Sequence, residues 1–219
     1  MNLKINNRLR VISDFVCSND LIIDVGCDHG LLGIYVYLKY RPKKIISSDI
    51  NTNPLANANE NIIKYGLEGR IKTKLGDGLE PIEDDINTVI ISGMGGRTII
   101  DILKNVYKYP NVTKLIISPN NDFALTREEI SKLEFHLCSE KMVCDHDKYY
   151  LVSHYKKGNI EKINKTFGKL DLKDTVNRAY FEDVIKKNKA IVKSLPNRYL
   201  LKKIKIKLNN IYIKRKLSI

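Results

Sequence analysis

The chain has 219 residues, 43% of them hydrophobic, which suits one α/β domain with a small appendage and excludes a wholly disordered chain. No apolar run reaches the roughly 20 residues that span a bilayer, and the polar, basic start lacks the apolar stretch of a signal peptide, so the expectation is a cytoplasmic protein with no membrane role. Net charge is +13, unevenly placed: residues 160–219 hold 17 Lys and Arg against 5 Asp and Glu, leaving 21 against 20 for the rest. A near-neutral body with a basic tail implies a polyanionic partner.

In chain order, Leu9, Ile12 and Val16 predict a first helix within residues 3–16. Leu21–Val25 is a short apolar run, a buried strand. A glycine-containing turn leads to a helix over Leu31–Leu38. Lys44–Ser48 is a second strand ending at Asp49, and Asn53–Tyr65 a helix with Asn51 or Thr52 as cap. Strands follow at Ile71–Leu75, Thr88–Ile91 and Lys114–Ile117, with helices at Arg97–Val106 and Phe123–Leu133. Leu137–Val143 and Tyr149–His154 read as a closing pair of strands. Alternating strands and helices, with strands apolar throughout, predict a mostly parallel sheet covered on both faces. Beyond about Ile160 the period changes. Phe181, Val184, Asn188, Ile191 and Leu195 follow 3-4-3-4 spacing, Pro196-Asn197 breaks the run, and Leu200, Ile204, Leu208 and Ile211 resume it. This predicts an antiparallel helical hairpin, basic on its outer faces.

The chemistry gathers in loops after the strands. Asp24-Val25-Gly26-Cys27-Asp28-His29-Gly30 follows the first strand, where glycines let the backbone turn sharply and approach a ligand. Asp49, followed by Ile50, ends the second strand, where a carboxylate can accept both hydroxyl hydrogens of a ribose. Gly76-Asp77-Gly78 after the third strand places an acidic side chain where it can meet an adenine amino group. A pyrophosphate would clash with a loop bearing Asp28, whereas a zwitterionic amino acid with a sulfonium would not. The set therefore favours S-adenosylmethionine over a dinucleotide, and a Rossmann-like methyltransferase over an oxidoreductase or a non-catalytic RNA-binding protein. Ser92-Gly93-Met94-Gly95-Gly96-Arg97 follows the fourth strand and Ser118-Pro119-Asn120-Asn121 the fifth. The latter is a partial match to the Asp/Asn-Pro-Pro-aromatic loop that amino-nitrogen methyltransferases present to a base. Cys17, Cys27, Cys138 and Cys144 form no CxxC pair, and their spacing to His136 and His146 fits no zinc template, so no metal is expected.

The segments Ile23-Asp24-Val25-Gly26-Cys27-Asp28-His29-Gly30, Ile91-Ser92-Gly93-Met94-Gly95-Gly96, Ser118-Pro119-Asn120 and Asp147-Lys148-Tyr149-Tyr150 together resemble the bacterial tRNA adenine-22 N1-methyltransferases, the TrmK family, from about Asn7 to Tyr155. Two departures stand out: Ser118 where glutamine is common, and Ser48-Asp49-Ile50 in place of a glutamate-containing segment. The resemblance implies a class I methyltransferase sheet with helices on both faces over residues 1–158 and a basic, tRNA-binding α-helical hairpin over 159–219. It further implies methyl transfer from S-adenosylmethionine to N1 of an adenine in tRNA, by a chain expected to be monomeric. Asp28 is the candidate for steadying charge on the base, and Asn120 for holding its edge. The cofactor would be held by Asp24, Gly26, Cys27, Asp28, His29, Gly30, Asp49, Ile50, Gly76, Asp77, Gly78, Ser92, Gly93, Met94 and Gly95. Arg8, Gly96, Arg97, Ser118, Pro119 and Asn120 would face the RNA.

Overall fold

The computed structural model describes residues 3–146, 148–158 and 162–218; Asp147 of the Asp-Lys-Tyr-Tyr segment therefore lies outside the described residues. The described residues form two compact units, 1–169 and 170–219.

The first unit is built on a seven-stranded sheet of β1 (Leu21–Val25), β2 (Lys44–Asp49), β3 (Ile71–Leu75), β4 (Thr88–Ser92), β5 (Lys114–Ser118), β6 (Phe135–Asp145) and β7 (Lys148–Lys157). Their order across the sheet is β3-β2-β1-β4-β5-β7-β6. The first five are parallel; β7 runs antiparallel to β5 and to β6. β6 and β7 are longer than the period-2 pattern predicts, and a register shift between Leu137 and Ser139 interrupts their pairing. Helices α1 (Asn7–Ser13), α2 (Leu31–Tyr40), α3 (Thr52–Lys64), α4 (Gly96–Leu103) and α5 (Phe123–Ser131) link the strands. α1 is shorter than its apolar pattern suggests: Asn6 caps it by accepting the Leu9 N–H at 2.9 Å, and it ends at Ser13. Asn51 stands at the cap position of α3, but its side chain makes no capping bond.

Alternate residues of each central strand feed different cores. Ile23, Val89, Ile91, Leu115 and Ile117 pack in one cluster, while Ile22, Ile90 and Ile116 pack in the other. Burial on both faces explains why these strands read as unbroken apolar runs.

Residues 164–169 are strapped to this unit by a buried ion pair. Arg127 Nε donates to Glu140 Oε1 at 2.8 Å, both side chains being almost fully covered. Arg127 also donates to the Lys165 and Thr166 carbonyls, and Glu140 accepts from Ser153 Oγ and the Lys169 N–H. A pair this deep is tolerable because its polar atoms find partners.

The second unit is an antiparallel hairpin of α6 (Thr175–Ser194) and α7 (Leu200–Leu217). Asp174 caps α6 through the Asn177 N–H at 2.9 Å. Arg178, early in α6, donates to the Leu217 carbonyl at the end of α7 at 3.1 Å, and Asn188 Nδ2 donates to Asn210 Oδ1 at 2.8 Å nearer the middle of both helices. The hairpin agrees with the spacing, but the seam does not. In α7 the buried residues are Asn210, Ile213 and Leu217, whereas Leu200, Ile204, Leu208 and Ile211 are exposed, as is Ile191 of α6. α7 carries apolar residues on two sides, so spacing alone leaves its register open. A half-buried asparagine must find a partner, and the Asn188–Asn210 bond is made only in the register observed.

Candidate active site

The strand order reverses direction between β1 and β4, and in open α/β sheets ligands bind at such a switch point, beyond the carboxyl ends of the strands. A cleft of about 670 Å³ lies there, within the size range of small-molecule sites. It is lined by the loops after β1, β2, β3 and β4, together with Asn6, Arg8 and Leu9 at the start of α1 and Thr98 and Ile102 of α4.

The β1 loop is held open from behind. The Gly26 and Cys27 N–H groups both donate to the Ser48 carbonyl, at 2.8 and 2.9 Å. Gly26 has φ of +75° and faces the Met94 side chain so closely that a Cβ would lie 2.2 Å from its terminal methyl. A residue with a side chain would be both strained and in the way. Asp28 adopts φ of +52°, a sparsely populated region for a non-glycine residue of the kind found at functional sites. This turn leaves its carboxylate exposed at the mouth, 3.6 Å from His29 Nε2.

Four carboxylates line the cleft: Asp24, Asp28, Asp49 and Asp77. Asp24 is buried, 3% exposed. Burial, then the neighbouring charge of Asp49, pushes its carboxyl up to about 7. Asp49 Oδ1 accepts the Asn51 N–H at 3.0 Å, which orients the carboxylate at the end of β2. Burial, then the charges of Asp24 and Asp49, also pushes the Cys27 thiol up, so it lines the floor as a protonated, unreactive group.

The β4 and β5 loops are tied together. Asn120 N–H donates to the Met94 carbonyl at 2.8 Å, Asn120 Nδ2 to the Gly93 carbonyl at 2.6 Å, and Gly93 N–H to the Ser118 carbonyl at 3.1 Å.

Of the residues expected to hold a cofactor, Asp24, Gly26, Cys27, Asp28, His29, Asp49, Ile50, Gly76, Asp77, Gly78, Ser92, Gly93 and Met94 line the cleft; Gly30 and Gly95 do not. Gly30 instead begins α2 and packs against Ala58, and Gly95 caps α4. Of the residues expected to face RNA, Arg8 alone lines the cleft. Gly96 sits at a packed position: a Cβ there would meet Thr126 Oγ1 at 2.6 Å and the Asn121 carbonyl at 2.8 Å. Ser118 and Pro119 are buried beneath the loops. Asn120 is exposed, and Arg97 is exposed 3.9 Å from Asp122. The sequence reading missed Asn6, Leu9, Val25, Leu31, Leu32, Asn51, Thr98 and Ile102. The last two lie four residues apart, one helical turn on the first face of α4, which is the signal that could have found them.

The geometry fits a ligand carrying ribose, adenine and a cationic amino-acid end: a carboxylate stands at each of the β1, β2 and β3 loops, and the backbone at Gly26 turns through a positive φ that a side chain would strain. Among the described residues no group of three or more His, Cys, Asp and Glu side chains is placed to hold a metal ion, and no helix is long and apolar enough to cross a membrane.

Residues 5–153 match a family model described as "Methyltransferase domain". The chain is 30% identical over 152 residues to the tRNA (adenine(22)-N(1))-methyltransferase of Bacillus subtilis, an alignment covering 68% of this chain and 64% of that enzyme; the matched region thus spans somewhat less than two thirds of this relative. Among solved structures, a protein of the NADB-Rossmann superfamily from Streptococcus agalactiae superposes with a TM-score of 0.91 at 27% identity, covering 99% of each chain. M. capricolum TrmK, solved with S-adenosylhomocysteine, superposes with a TM-score of 0.86 at 25% identity, covering 98% of each. Sheet order, strand-end cleft and matched region converge, and the chain belongs to the methyltransferase-domain family.

Proposed function

We propose that this protein transfers a methyl group from S-adenosylmethionine to N1 of adenine 22 in tRNA. The observation that carries the reading is the acid-lined cleft at the switch point, in a chain that matches both a tRNA (adenine(22)-N(1))-methyltransferase and a TrmK solved with S-adenosylhomocysteine.

When bound, the cofactor supplies an electrophilic methyl on a sulfonium. Asp49 would accept the ribose hydroxyls and Asp77 the adenine amino group. Asp24 and Asp28 would offset the positive charge of the ammonium and the sulfonium. Adenine N1 has an in-plane lone pair and needs no base to deprotonate it. The protein's work is therefore to hold the acceptor in line and to steady the cation that forms on the methylated ring. Asp28, exposed at the mouth, would take the second task. Asn120 would take the first: its amide donates to the Gly93 carbonyl, which leaves Oδ1 as an acceptor for a base edge. Reaching N1 requires the adenine to leave its stack. The lysines of the 170–219 hairpin would hold the tRNA backbone, contacts that carry no sequence information. A cytoplasmic setting and free cysteines accord with this role.

The test is methyl transfer from labelled S-adenosylmethionine to a panel of unmodified tRNAs, including one with adenine 22 replaced by guanine. Incorporation that disappears with the replacement supports the position. Incorporation that persists keeps the methyltransferase and rejects the site, and tight cofactor binding without incorporation points to another acceptor.

A further inference from the structure

A second cavity, of about 490 Å³, opens beside the residues that begin β4 and β5 and end β7. It lies at the opposite end of the sheet from the cofactor cleft, a strand length of roughly 17 Å away.

On the sheet side of this cavity, strand pairing sets basic residues against one another. Lys114 of β5 stands directly opposite Lys156 of β7, and Lys156 stands opposite His136 of β6. His154, two residues before Lys156, shares the same face. Like charges directly opposite each other destabilise a sheet, yet two lysines and two histidines form one patch across three strands.

The carboxylates nearby are already engaged. Asp20 Oδ2 accepts from Lys114 Nζ at 2.7 Å and from the Cys17 N–H at 2.8 Å. Asp14 Oδ1 accepts from Lys39 Nζ at 3.1 Å and from the Tyr40 hydroxyl at 3.3 Å. Lys156 has no carboxylate within ion-pair distance among the described residues, whereas Lys44 and Lys74, at the other edge of the sheet, share Glu83.

The histidines are unmatched as well. His154 Nε2 and His136 Nδ1 are buried without a hydrogen-bond partner, an arrangement that asks for an explanation in any native protein. The Phe15 ring lies against that of His154, with centroids 5.6 Å apart, which fixes its plane. Burial, then the charges of Lys114 and Lys156, hold the imidazole down to about 4 against the opposing charge of Asp20. A dianion seated among these groups reverses that field and lets the ring take a proton and donate. Donors converging from separate strands suit a tetrahedral oxyanion, whose oxygens accept several charge-assisted bonds at once. The cavity is far larger than such an ion, and Phe15 adds an apolar wall, so there is room for an organic body on the oxyanion.

We propose that this cavity is a phosphate-binding site, the phosphate of an ester held between Lys114, His154 and Lys156 with its organic part beside Phe15. The site is separate from the cofactor cleft and does not depend on what that cleft holds. Its phosphate can come from a free phosphomonoester or from an RNA backbone.

The experiment is calorimetry on the full chain with ribose 5-phosphate, ribose and sulfate. Ribose 5-phosphate should bind and ribose should not, and His154→Gln and Lys156→Thr should each weaken the phosphate on the order of tenfold. Sulfate, which does not titrate in this range, isolates the imidazole. Its affinity should rise about tenfold from pH 8 to pH 5.5 in the parent, because the bound state holds the His154 proton more tightly, and less than about threefold in His154→Gln. Urea unfolding should show Lys156→Thr no less stable than the parent, since it removes a repulsion; a residue kept for structure would lose stability instead. Filter binding of tRNA to the double variant separates the sources: a loss of tenfold or more assigns the phosphate to RNA, and unchanged affinity assigns it to a free ester. Failure of ribose 5-phosphate and sulfate to bind, with tRNA affinity unchanged, overturns the proposal, as does binding that both variants retain in full.

Discussion

Two regions of the first unit treat buried charge in opposite ways. Beside α5 and β6, Arg127 and Glu140 are shut away from water with their polar atoms matched by each other, by Ser153 and by the backbone of residues 165–169. At the switch point Asp24 is as deeply buried, beside Asp49, with its carboxyl pushed up to about 7, and Arg8 has an orphaned Nε. Satisfied charges hold a fold together; unsatisfied ones cost stability and persist where a ligand completes them.

Arg127→Met should have the largest effect, because it leaves Glu140 buried without its partner. A loss of about 3–5 kcal/mol in urea unfolding is expected, with S-adenosylhomocysteine affinity unchanged in the molecules that remain folded. A loss below about 1 kcal/mol would break the contrast from the structural side.

Asp24→Asn should act in the opposite direction. The folded value of Asp24 lies above its ordinary 3.8, so the native state holds the proton more tightly than the unfolded chain. Its contribution to stability is complete below about pH 4 and is lost as pH rises to about 7. At pH 8 the Asn variant should therefore be the more stable protein, by on the order of 3 kcal/mol, yet bind S-adenosylhomocysteine more weakly. Urea midpoints at pH 4 and 8 should differ less in the variant than in the parent; equal differences would remove Asp24 as an unmatched charge. In the parent, ligand affinity should fall as pH drops below about 7, about tenfold per pH unit at the limit, with proton release on binding near neutrality.

Asp49→Ala removes the acceptor assigned to the ribose, and a loss of about 100-fold in cofactor affinity is expected from two charge-assisted bonds. Isothermal calorimetry decides it, and unchanged affinity would free Asp49 from that role.

The smallest expected effect belongs to the hairpin, whose charges are solvated. Replacing the exposed Lys202, Lys205 and Lys207 by alanine should weaken tRNA roughly tenfold. It should also flatten the dependence of log affinity on log salt by up to about 3, and leave cofactor binding alone. An unaltered salt slope would take these three lysines off the RNA.

Much of this architecture was legible in the sequence. The continuous apolar runs at Leu21–Val25, Thr88–Ile91 and Lys114–Ile117 can only be strands covered on both sides, and the acidic and glycine residues just beyond them announce a strand-end site. Local chemistry sufficed because those residues act where the chain itself puts them, at the end of their own strand. The uneven charge, the helical hairpin and the Pro196 break were visible for the same reason.

Other features needed the tertiary structure. The buried face of α7 was decided by Asn188 meeting Asn210, since a helix apolar on two sides does not choose between them by spacing. Gly96 reads as a ligand loop in sequence but packs on Thr126, and nothing local to α5 marks Arg127 as the residue that pins residues 165–169. Arg8 belongs to a helix that ends before the first strand begins, and only the fold lays it across the β4 loop, against a tyrosine from β7. Period and composition report what a residue prefers next to its neighbours in the chain; partners across the sheet decide which buried charge is satisfied and which is left for a ligand.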